Sequence, residues 1–144
     1  MNLNQVTLPA RNLAASAAFY RRMGFLQIVD GPHYARFECP EGAATFSLHA
    51  IEHAAVPEAP GEAAARHYGE SGFTVYFEHD ALDALVARLE AAGFEFEMPP
   101  TDQRWLWREA RLRDPSGNLV CLYRAGEMRR HPPWRVERRG DGPA

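Results

Sequence analysis

The sequence predicts an α+β protein made of two tandem β-α-β-β-β modules, whose strands form a cupped mixed sheet around a ligand cavity. One observation is a repeat: Gly24-Phe25 and Gly93-Phe94 are 69 residues apart, and each pair ends a helical pattern that follows a strand pattern. Another is that three further strand-like segments follow each of these helices. The same order of elements twice in one chain indicates a duplicated unit. Two half-sheets related in this way would curl around a concave surface, where small molecules commonly bind.

The first module covers about residues 1–50. Asn12 is a favoured N-cap, apolar residues then recur at helical spacing, and Gly24 favours a stop, so a helix is predicted over about 13–22. Alternating segments bounded by Pro and Gly predict strands over 3–8, 25–29, 34–39 and 44–50.

The second module covers about residues 71–124. Asp80 is the predicted N-cap of a helix over about 81–92, which Gly93 ends. The sequence Asp114-Pro115-Ser116-Gly117 predicts a tight turn between two strands. The remaining strands are predicted over 71–78, from 94, over 105–113 and over 119–123. The last of these is apolar at every position, which predicts that both its faces are covered.

Together the modules predict one domain over residues 1–124, with a connector over 51–70 that is rich in Ala, Glu and Pro. Residues 125–144 are predicted to form a C-terminal tail, in which Pro132-Pro133-Trp134 and the end rich in Gly, Pro and Arg are not expected to form a regular element.

Composition excludes several function classes. The net charge is −3, and no basic stripe coincides with aromatic residues, which argues against nucleic-acid binding. The chain has no lysine, which excludes a lysine Schiff base and a P-loop lysine. No apolar run is long enough to span a membrane, and no basic-then-apolar leader is present. With only Cys39 and Cys121, both expected as thiols, the prediction is a cytoplasmic protein.

The strand before the tight turn carries the first candidate site residues. Trp107, Glu109 and Arg111 alternate and therefore share one face. If that face lines the cavity, the guanidinium of Arg111 can donate two parallel hydrogen bonds to a carboxylate or phosphate, and Glu109 can hold Arg111 in position. The alternative is that this face is solvated and Arg108 is the residue that points inward.

His49 and Cys121 each allow a functional and a structural interpretation. His49 shares a strand face with Ser47 and could act as a general base or a ligand, or could be a hydrogen-bonded histidine at a strand end. Cys121 lies between Val120 and Leu122; it could be a nucleophile activated by Arg111, or a small core residue.

The pattern resembles the vicinal oxygen chelate superfamily, which includes glyoxalase I, extradiol dioxygenases, fosfomycin-resistance enzymes and bleomycin-binding proteins. The resemblance rests on these segments: LNQVTLPARNL (3–13), AFYRRMGF (18–25), TFSLH (45–49), GFTVYFE (72–78), AAGFEF (91–96) and LRDPSGNLVCLY (112–123). It implies the paired-module fold, but the fold does not fix the activity.

In catalytic members of this family, His, Glu or Gln side chains from several strands hold a divalent metal. The resemblance places these positions on Gln5, on Ser47, on Phe73 or Thr74, and on Cys121. Gln5 is an acceptable but weak ligand, Ser47 and Thr74 are poor ones, and Phe73 cannot ligate. Cys121 could ligate as a thiolate, but a lone Cys with Gln and Ser is not a recognised set for a hard metal ion. Extradiol dioxygenases also carry a Tyr three residues before the turn Asp, and this chain has Arg111 there.

The resulting hypothesis is a glyoxalase/bleomycin-resistance-like protein that binds a small organic molecule without the family's metal and forms a homodimer. The candidate ligand-binding residues are Gln5, Ser47, His49, Phe73, Thr74, Trp107, Glu109, Arg111, Cys121 and Tyr123.

One alternative is a lyase, isomerase or ring-cleaving dioxygenase with a divalent transition metal on a shifted set made of Gln5, His49, Glu109 and Cys121. Another is a cofactorless enzyme with His49 as base and Arg111 as oxyanion partner, which makes His49, Glu109 and Arg111 the catalytic candidates.

Overall fold

A computed structural model describes residues 3–51 and 74–135. Within these ranges, two four-stranded sheets and two helices repeat one order of elements, which confirms the duplicated β-α-β-β-β prediction. The first module contains β1 (Gln5–Ala10), α1 (Leu13–Met23), β2 (Leu26–Asp30), β3 (Tyr34–Glu38) and β4 (Thr45–Ala50). The second contains β5 (Thr74–Glu78), α2 (Leu82–Ala91), β6 (Phe96–Asp102), β7 (Arg108–Arg113) and β8 (Leu119–Arg124).

The two sheets have matching strand orders, β1-β4-β3-β2 and β5-β8-β7-β6. In the first sheet β1 runs parallel to β4, with Gln5 beside Thr45 and Thr7 beside Ser47. The strands β2, β3 and β4 then pair in antiparallel order. The first strand of each module therefore lies beside its last strand, as expected for copies of one unit.

By packing, the chain divides into two compact units. The first is Met1–Val75 with Leu112–Val120, and the second is Tyr76–Arg111 with Cys121–Ala144. Each unit has its own core.

The core of the first unit is an aromatic cluster under α1. Asn12 caps this helix as predicted, because its side-chain oxygen accepts a hydrogen bond from the backbone N–H of Ala15 at 3.0 Å. Gly24, at φ 108°, ends the helix in the left-handed conformation that glycine allows. The buried ring of Tyr20 contacts Phe37 and Phe46 of the sheet, and these two rings stack at 5.1 Å. This packing fixes which face of the sheet points away from α1.

The tight turn also belongs to the first unit. Asp114 is buried, and its Oδ1 accepts hydrogen bonds from the backbone N–H groups of Ser116 and Asn118, both at 2.9 Å. Its Oδ2 accepts from the hydroxyl of Tyr20 and from the side-chain amide of Asn118, both at 2.8 Å. That amide also donates to the backbone oxygen of Pro9. The turn is therefore joined by hydrogen bonds to α1 and β1 as well as to its own backbone.

Helix α2 begins differently from the prediction. Asp80 is not the cap: the helix starts after Ala81, which has no capping side chain. The ring nitrogen Nδ1 of His79 accepts a hydrogen bond from the backbone N–H of Ala81 at 3.1 Å instead. Leu82, Val86 and Leu89 are buried at the spacing of one helix face, as the sequence predicted.

The strand predicted over 105–113 begins only at Arg108. Leu106 has φ 69°, and the backbone N–H of Gln103 donates to the oxygen of Trp107 at 2.7 Å, so this segment forms a turn. Within the predicted tail, Gly126–Arg129 forms one turn of 3-10 helix. Strand β8, which follows the tight turn at Asp114, has both faces covered as predicted, since its residues 120–123 are all buried.

No helix in the described ranges 3–51 and 74–135 is long and apolar enough to cross a membrane. The predicted connector falls almost entirely outside the described residues, as do Phe73 and the end of the predicted tail.

Candidate functional site

One face of the second sheet gathers most of the predicted site residues of that module. Alternation along β5, β7 and β8 places these side chains on the same side. They include predicted residues and one that the prediction missed: Tyr76, Trp107, Glu109, Arg111, Cys121 and Tyr123. We call this set the polar–aromatic face.

A buried carboxylate lies within the polar–aromatic face. The side chain of Glu109 is 1% exposed, and its Oε1 accepts a hydrogen bond from the indole N–H of Trp105 at 2.7 Å. Its Oε2 accepts from Nη2 of Arg111 at 2.7 Å and from Nε at 3.2 Å. A buried charge is tolerated when it is paired and hydrogen-bonded in this way. Both carboxylate oxygens are therefore occupied, and the guanidinium of Arg111 is held in one orientation.

An aromatic cluster lies beside this ion pair. Trp107 and Tyr123 stack with ring centroids 4.8 Å apart, and the ring of Tyr76 meets both of them edge-on at 6.1 and 5.7 Å. Tyr123 is buried, whereas Tyr76 is 47% exposed. The cluster thus combines the buried ring of Tyr123 with the accessible ring of Tyr76. Tyr76 lies two residues after the candidate Thr74 on β5, so strand alternation would have identified it.

Cys121 lies on the same face as a fully buried thiol. Burial, with a further contribution from the charge of Glu109, raises the pKa of Cys121 to about 12. Arg111 acts in the opposite direction but does not outweigh these effects. Without a bound metal, the sulfur is therefore protonated at neutral pH and is not a thiolate nucleophile.

Arg108 points to the opposite face of β7, toward α2. Its Nη2 lies 2.7 Å from Oδ1 of Asp83 on α2, and its Nη1 lies 3.0 Å from Oδ1 of Asp102. Arg108 therefore belongs to the helix side, and Arg111 is the arginine of the polar–aromatic face.

The first sheet has a polar face of its own, on the side away from α1. Oε1 of Gln5 accepts a hydrogen bond from the hydroxyl of Thr45 at 2.6 Å, and its Nε2 donates to the hydroxyl of Ser47 at 3.3 Å. The hydroxyl of Ser47 also shares a hydrogen bond with Thr7 at 2.8 Å. The predicted residues Gln5 and Ser47 are thus in contact, within a network of neutral groups.

Sequence reasoning missed two further members of this face, Tyr34 and Arg36. The register pairs Arg36 with Ser47 and Tyr34 with His49. The Nε of Arg36 donates to the hydroxyl oxygen of Tyr34 at 2.9 Å, and Nε2 of Gln5 donates to it at 3.3 Å. Pairing β3 with β4 through the short turn between them would have placed both residues next to the candidate Ser47.

His49 does not come near Gln5. The parallel register places His49 beside Pro9 and Gln5 beside Thr45, four positions apart, which corresponds to roughly 13 Å along a strand. The side chain of His49 is exposed. Thr74 begins β5 and is half-buried, and Phe73 is outside the described residues.

The described residues of each sheet, taken separately, offer few groups that could hold a divalent metal. In the described ranges 3–51 and 74–135, no three His, Cys, Asp or Glu side chains are close enough to hold a metal ion. On the second sheet, both carboxylate oxygens of Glu109 already accept hydrogen bonds, one from Trp105 and one from Arg111. On the first sheet, the amide oxygen of Gln5 is bonded to Thr45. These residues do not form the open set of anionic or imidazole ligands that metal catalysis requires.

Comparison with solved structures identifies proteins of the same fold. A bleomycin-binding protein complexed with bleomycin matches with a TM-score of 0.63 and 21% identity, covering 86% of this chain and 98% of that chain. A lactoylglutathione lyase from Agrobacterium tumefaciens matches with a TM-score of 0.62 and 21% identity, covering 85% of this chain and 92% of that one. At this identity the matches establish the fold alone.

Among curated proteins, the anthracycline biosynthesis protein DnrV of Streptomyces peucetius is 45% identical over 56 residues. That match spans 39% of this chain and only 20% of the relative. A family model covers far more of the chain, from residue 2 to residue 122. Together with the two duplicated sheets, this match shows that the chain belongs to the Glyoxalase/Bleomycin resistance protein/Dioxygenase superfamily.

Proposed function

We propose that this protein binds a small organic molecule on the polar–aromatic face of its second sheet, and that it does so without a metal ion. The observation that carries this proposal is the Glu109–Arg111 ion pair. A buried carboxylate, held by Trp105, fixes an arginine beside an accessible aromatic ring. A small number of firmly positioned polar groups among aromatic side chains is typical of small-molecule sites.

The chemistry of this face indicates a class of ligand. Arg111 is one-third exposed, so its guanidinium can donate to a carboxylate, phosphate or other acceptor oxygen. Tyr76 offers an exposed ring for stacking against a conjugated group. We therefore propose a conjugated organic molecule that carries an acidic or hydrogen-bond-accepting group.

The relatives support a binding role of this kind. One structural neighbour was solved with bleomycin bound, and the curated relatives act in anthracycline biosynthesis. The compounds named for these relatives differ in chemistry. The relatives therefore support a small organic ligand but do not identify which one this protein binds.

The test begins with a screen of conjugated organic acids for compounds that raise the melting temperature. Calorimetry then measures the affinity of the best compound for wild type, Arg111→Lys and Arg108→Lys. Arg111→Lys keeps a positive charge beside Glu109 but loses the two-pronged hydrogen-bonding geometry of the guanidinium. The affinity should therefore fall about tenfold, the change expected for the loss of one charge-assisted hydrogen bond. Lysine is preferable to alanine here, because alanine would leave the buried carboxylate of Glu109 unpaired.

Arg108→Lys is the matched control, since Arg108 lies on the same strand but points to α2. Its affinity should equal that of wild type. Equal affinities for all three proteins would remove Arg111 from the binding site and contradict the proposal.

We also propose that the protein is a homodimer in the cytoplasm. Strand β2 is an edge of its sheet, and it exposes Leu26, Ile28 and Val29 at 60%, 46% and 37%. An apolar edge strand is suited to pairing with a second copy of the same chain.

The two cysteines, Cys39 and Cys121, are both free thiols, as expected in a reducing compartment.

A further inference from the structure

The loop that joins β6 to β7 contains a residue with a strained backbone. Leu106 has φ 69°, and it is the one non-glycine residue with a positive φ within the described ranges 3–51 and 74–135. Its backbone N–H donates to the oxygen of Gln103 at 3.0 Å, and the N–H of Gln103 donates to the oxygen of Trp107 at 2.7 Å. This is the pattern of a three-residue hairpin loop, whose left-handed position is ordinarily taken by glycine. A leucine there brings its Cβ too close to the following carbonyl oxygen.

The side chain of Leu106 does not explain why the chain accepts this strain. It is 49% exposed, so its own packing offers little compensation. Its two neighbours in sequence, Trp105 and Trp107, are both half-buried. The backbone conformation between them decides where both indole rings are placed.

The turn brings Trp105 to the buried carboxylate. The indole N–H of Trp105 donates to Oε1 of Glu109 at 2.7 Å. In a continuous strand, residues four positions apart are separated by roughly 13 Å. The turn at Leu106 shortens this separation and allows the indole to reach the carboxylate.

Trp107, on the other side of Leu106, packs against the aromatic cluster. Its ring stacks on Tyr123 with centroids 4.8 Å apart and meets Tyr76 edge-on at 6.1 Å. One left-handed residue therefore places one indole on the carboxylate and the other on the aromatic rings. These two interactions together hold the strained conformation in place.

We propose that Leu106 is a positioning residue for Arg111, and that it acts through the left-handed conformation of its backbone and not through its side chain. This conformation sets Trp105 on Oε1 of Glu109, while Oε2 accepts from Nη2 and Nε of Arg111 at 2.7 and 3.2 Å. A carboxylate that is bonded on both oxygens resists rotation, so the guanidinium keeps one orientation. The inference rests on the proposed function, because Arg111 is the residue proposed to bind the organic ligand.

The test compares three substitutions at position 106. Glycine and asparagine adopt a positive φ readily, whereas valine is β-branched and rarely does so. Leu106→Gly and Leu106→Asn should therefore keep the loop conformation, and Leu106→Val should change it. Leu106→Gly should also melt at a higher temperature than Leu106→Val, although valine retains an apolar side chain. The opposite order would contradict the strain at this position.

Nitrogen NMR of the side chains reports the positions directly and needs no ligand. The indole N–H of Trp105 is assigned by its disappearance in Trp105→Phe, and the Nε–H of Arg111 by its disappearance in Arg111→Lys. In Leu106→Val both signals should shift, and the indole hydrogen should exchange about tenfold faster or more as its bond to Glu109 is lost. In Leu106→Gly and Leu106→Asn both signals should stay close to wild type.

Two further variants test the link between the indole and the guanidinium. Trp105→Phe removes the donor to Glu109 and should shift the Nε–H signal of Arg111. Trp134→Phe is the matched control, because Trp134 is exposed and lies in the C-terminal segment. It should leave the Arg111 signal unchanged. If Leu106→Val does not fold, Trp105→Phe decides, and an unchanged Arg111 signal in that variant would overturn the inference.

Two results at position 106 would also overturn it. One is a folded Leu106→Val protein with wild-type signals for Trp105 and Arg111. The other is altered signals in Leu106→Gly, which would assign the role to the leucine side chain. These measurements are independent of the affinities of Arg111→Lys and Arg108→Lys, since no ligand is present. Equal affinities in that comparison would contradict the proposed function and leave the positioning of Arg111 intact.

Discussion

Cys121 illustrates at the residue scale how the surroundings decide the chemistry of a side chain. From sequence the thiol was compatible with a nucleophile beside Arg111 or with a small core residue. The structure shows that the same ion pair that brings Arg111 close also brings the negative charge of Glu109, and burial acts in the same direction as that charge. The structure favours the core interpretation for this reason.

We therefore expect Cys121 to resist modification by iodoacetamide in the folded protein at neutral pH. Mass spectrometry of the native and the urea-unfolded protein measures this, and Cys121 should be labelled only after unfolding. Rapid labelling of native Cys121 at neutral pH would contradict the raised pKa.

The same residue predicts a pH dependence of stability. The folded-state pKa of Cys121, about 12, is above the ordinary thiol value, so the folded state holds the proton more tightly than the unfolded state does. The stability that this provides is complete below the ordinary value and declines as pH rises from there toward 12. Urea unfolding of wild type and Cys121→Ala across this range should show a steeper alkaline decline in wild type.

Residue-level predictions from sequence succeeded where alternation alone decides the outcome. Glu109 and Arg111 do share one face of β7, because strand geometry fixes this. The proximity of Tyr34 to Ser47 depends on the register between β3 and β4, which a sequence without strand pairing does not contain.

At the scale of elements, the turn around Asp114 depends on one buried carboxylate. Asp114→Ala removes the acceptor of hydrogen bonds from Ser116, Asn118 and Tyr20, and it leaves buried donors unsatisfied. We expect a loss of about 3 kcal/mol in the free energy of unfolding, by the usual value of such buried bonds. Urea denaturation measures it.

Pro115→Ala provides the matched control in the same turn, because Pro115 is exposed. It should cost at most about 1 kcal/mol through the flexibility of the unfolded chain. Equal losses for the two variants would show that the turn conformation, and not the buried carboxylate, is what matters.

The elements themselves were largely predictable, and their ends were less so. Helix α1 was expected over about 13–22 and spans Leu13–Met23, since Asn12 and Gly24 are strong local signals. Strand β7 was expected from 105 but starts at Arg108, because Leu106 adopts a positive φ that its residue type does not indicate. The cap of α2 was also missed, since His79 and not Asp80 accepts the backbone N–H.

At the scale of the whole molecule, the apolar edge strand β2 carries the prediction of a homodimer. Ile28→Lys places a charge in the middle of that exposed apolar row and should convert the dimer to a monomer. Light scattering after size-exclusion chromatography measures the mass of both proteins. A wild-type mass equal to one chain would contradict the proposed dimer.

Duplication made the fold the most predictable property of this molecule, because each module repeats the same periodicities and turn signals. The site was less predictable, since the family's metal positions carry Gln5, Ser47 and Cys121, and only their contacts show what these residues do. Gln5 and Ser47 bond to other neutral groups, and Cys121 is a buried, protonated thiol.

The most direct test of the account is one comparison of ligand affinity. The compound selected by the melting-temperature screen is titrated calorimetrically into protein stripped of metal by a chelator, and into the same protein supplied with Mn, Fe, Ni or Zn. Because the proposed site takes its ligand contacts from Arg111 and the ring of Tyr76, we expect the same affinity with and without metal. Binding that appears only after a metal is added would contradict it, and would assign the protein a metal-dependent site.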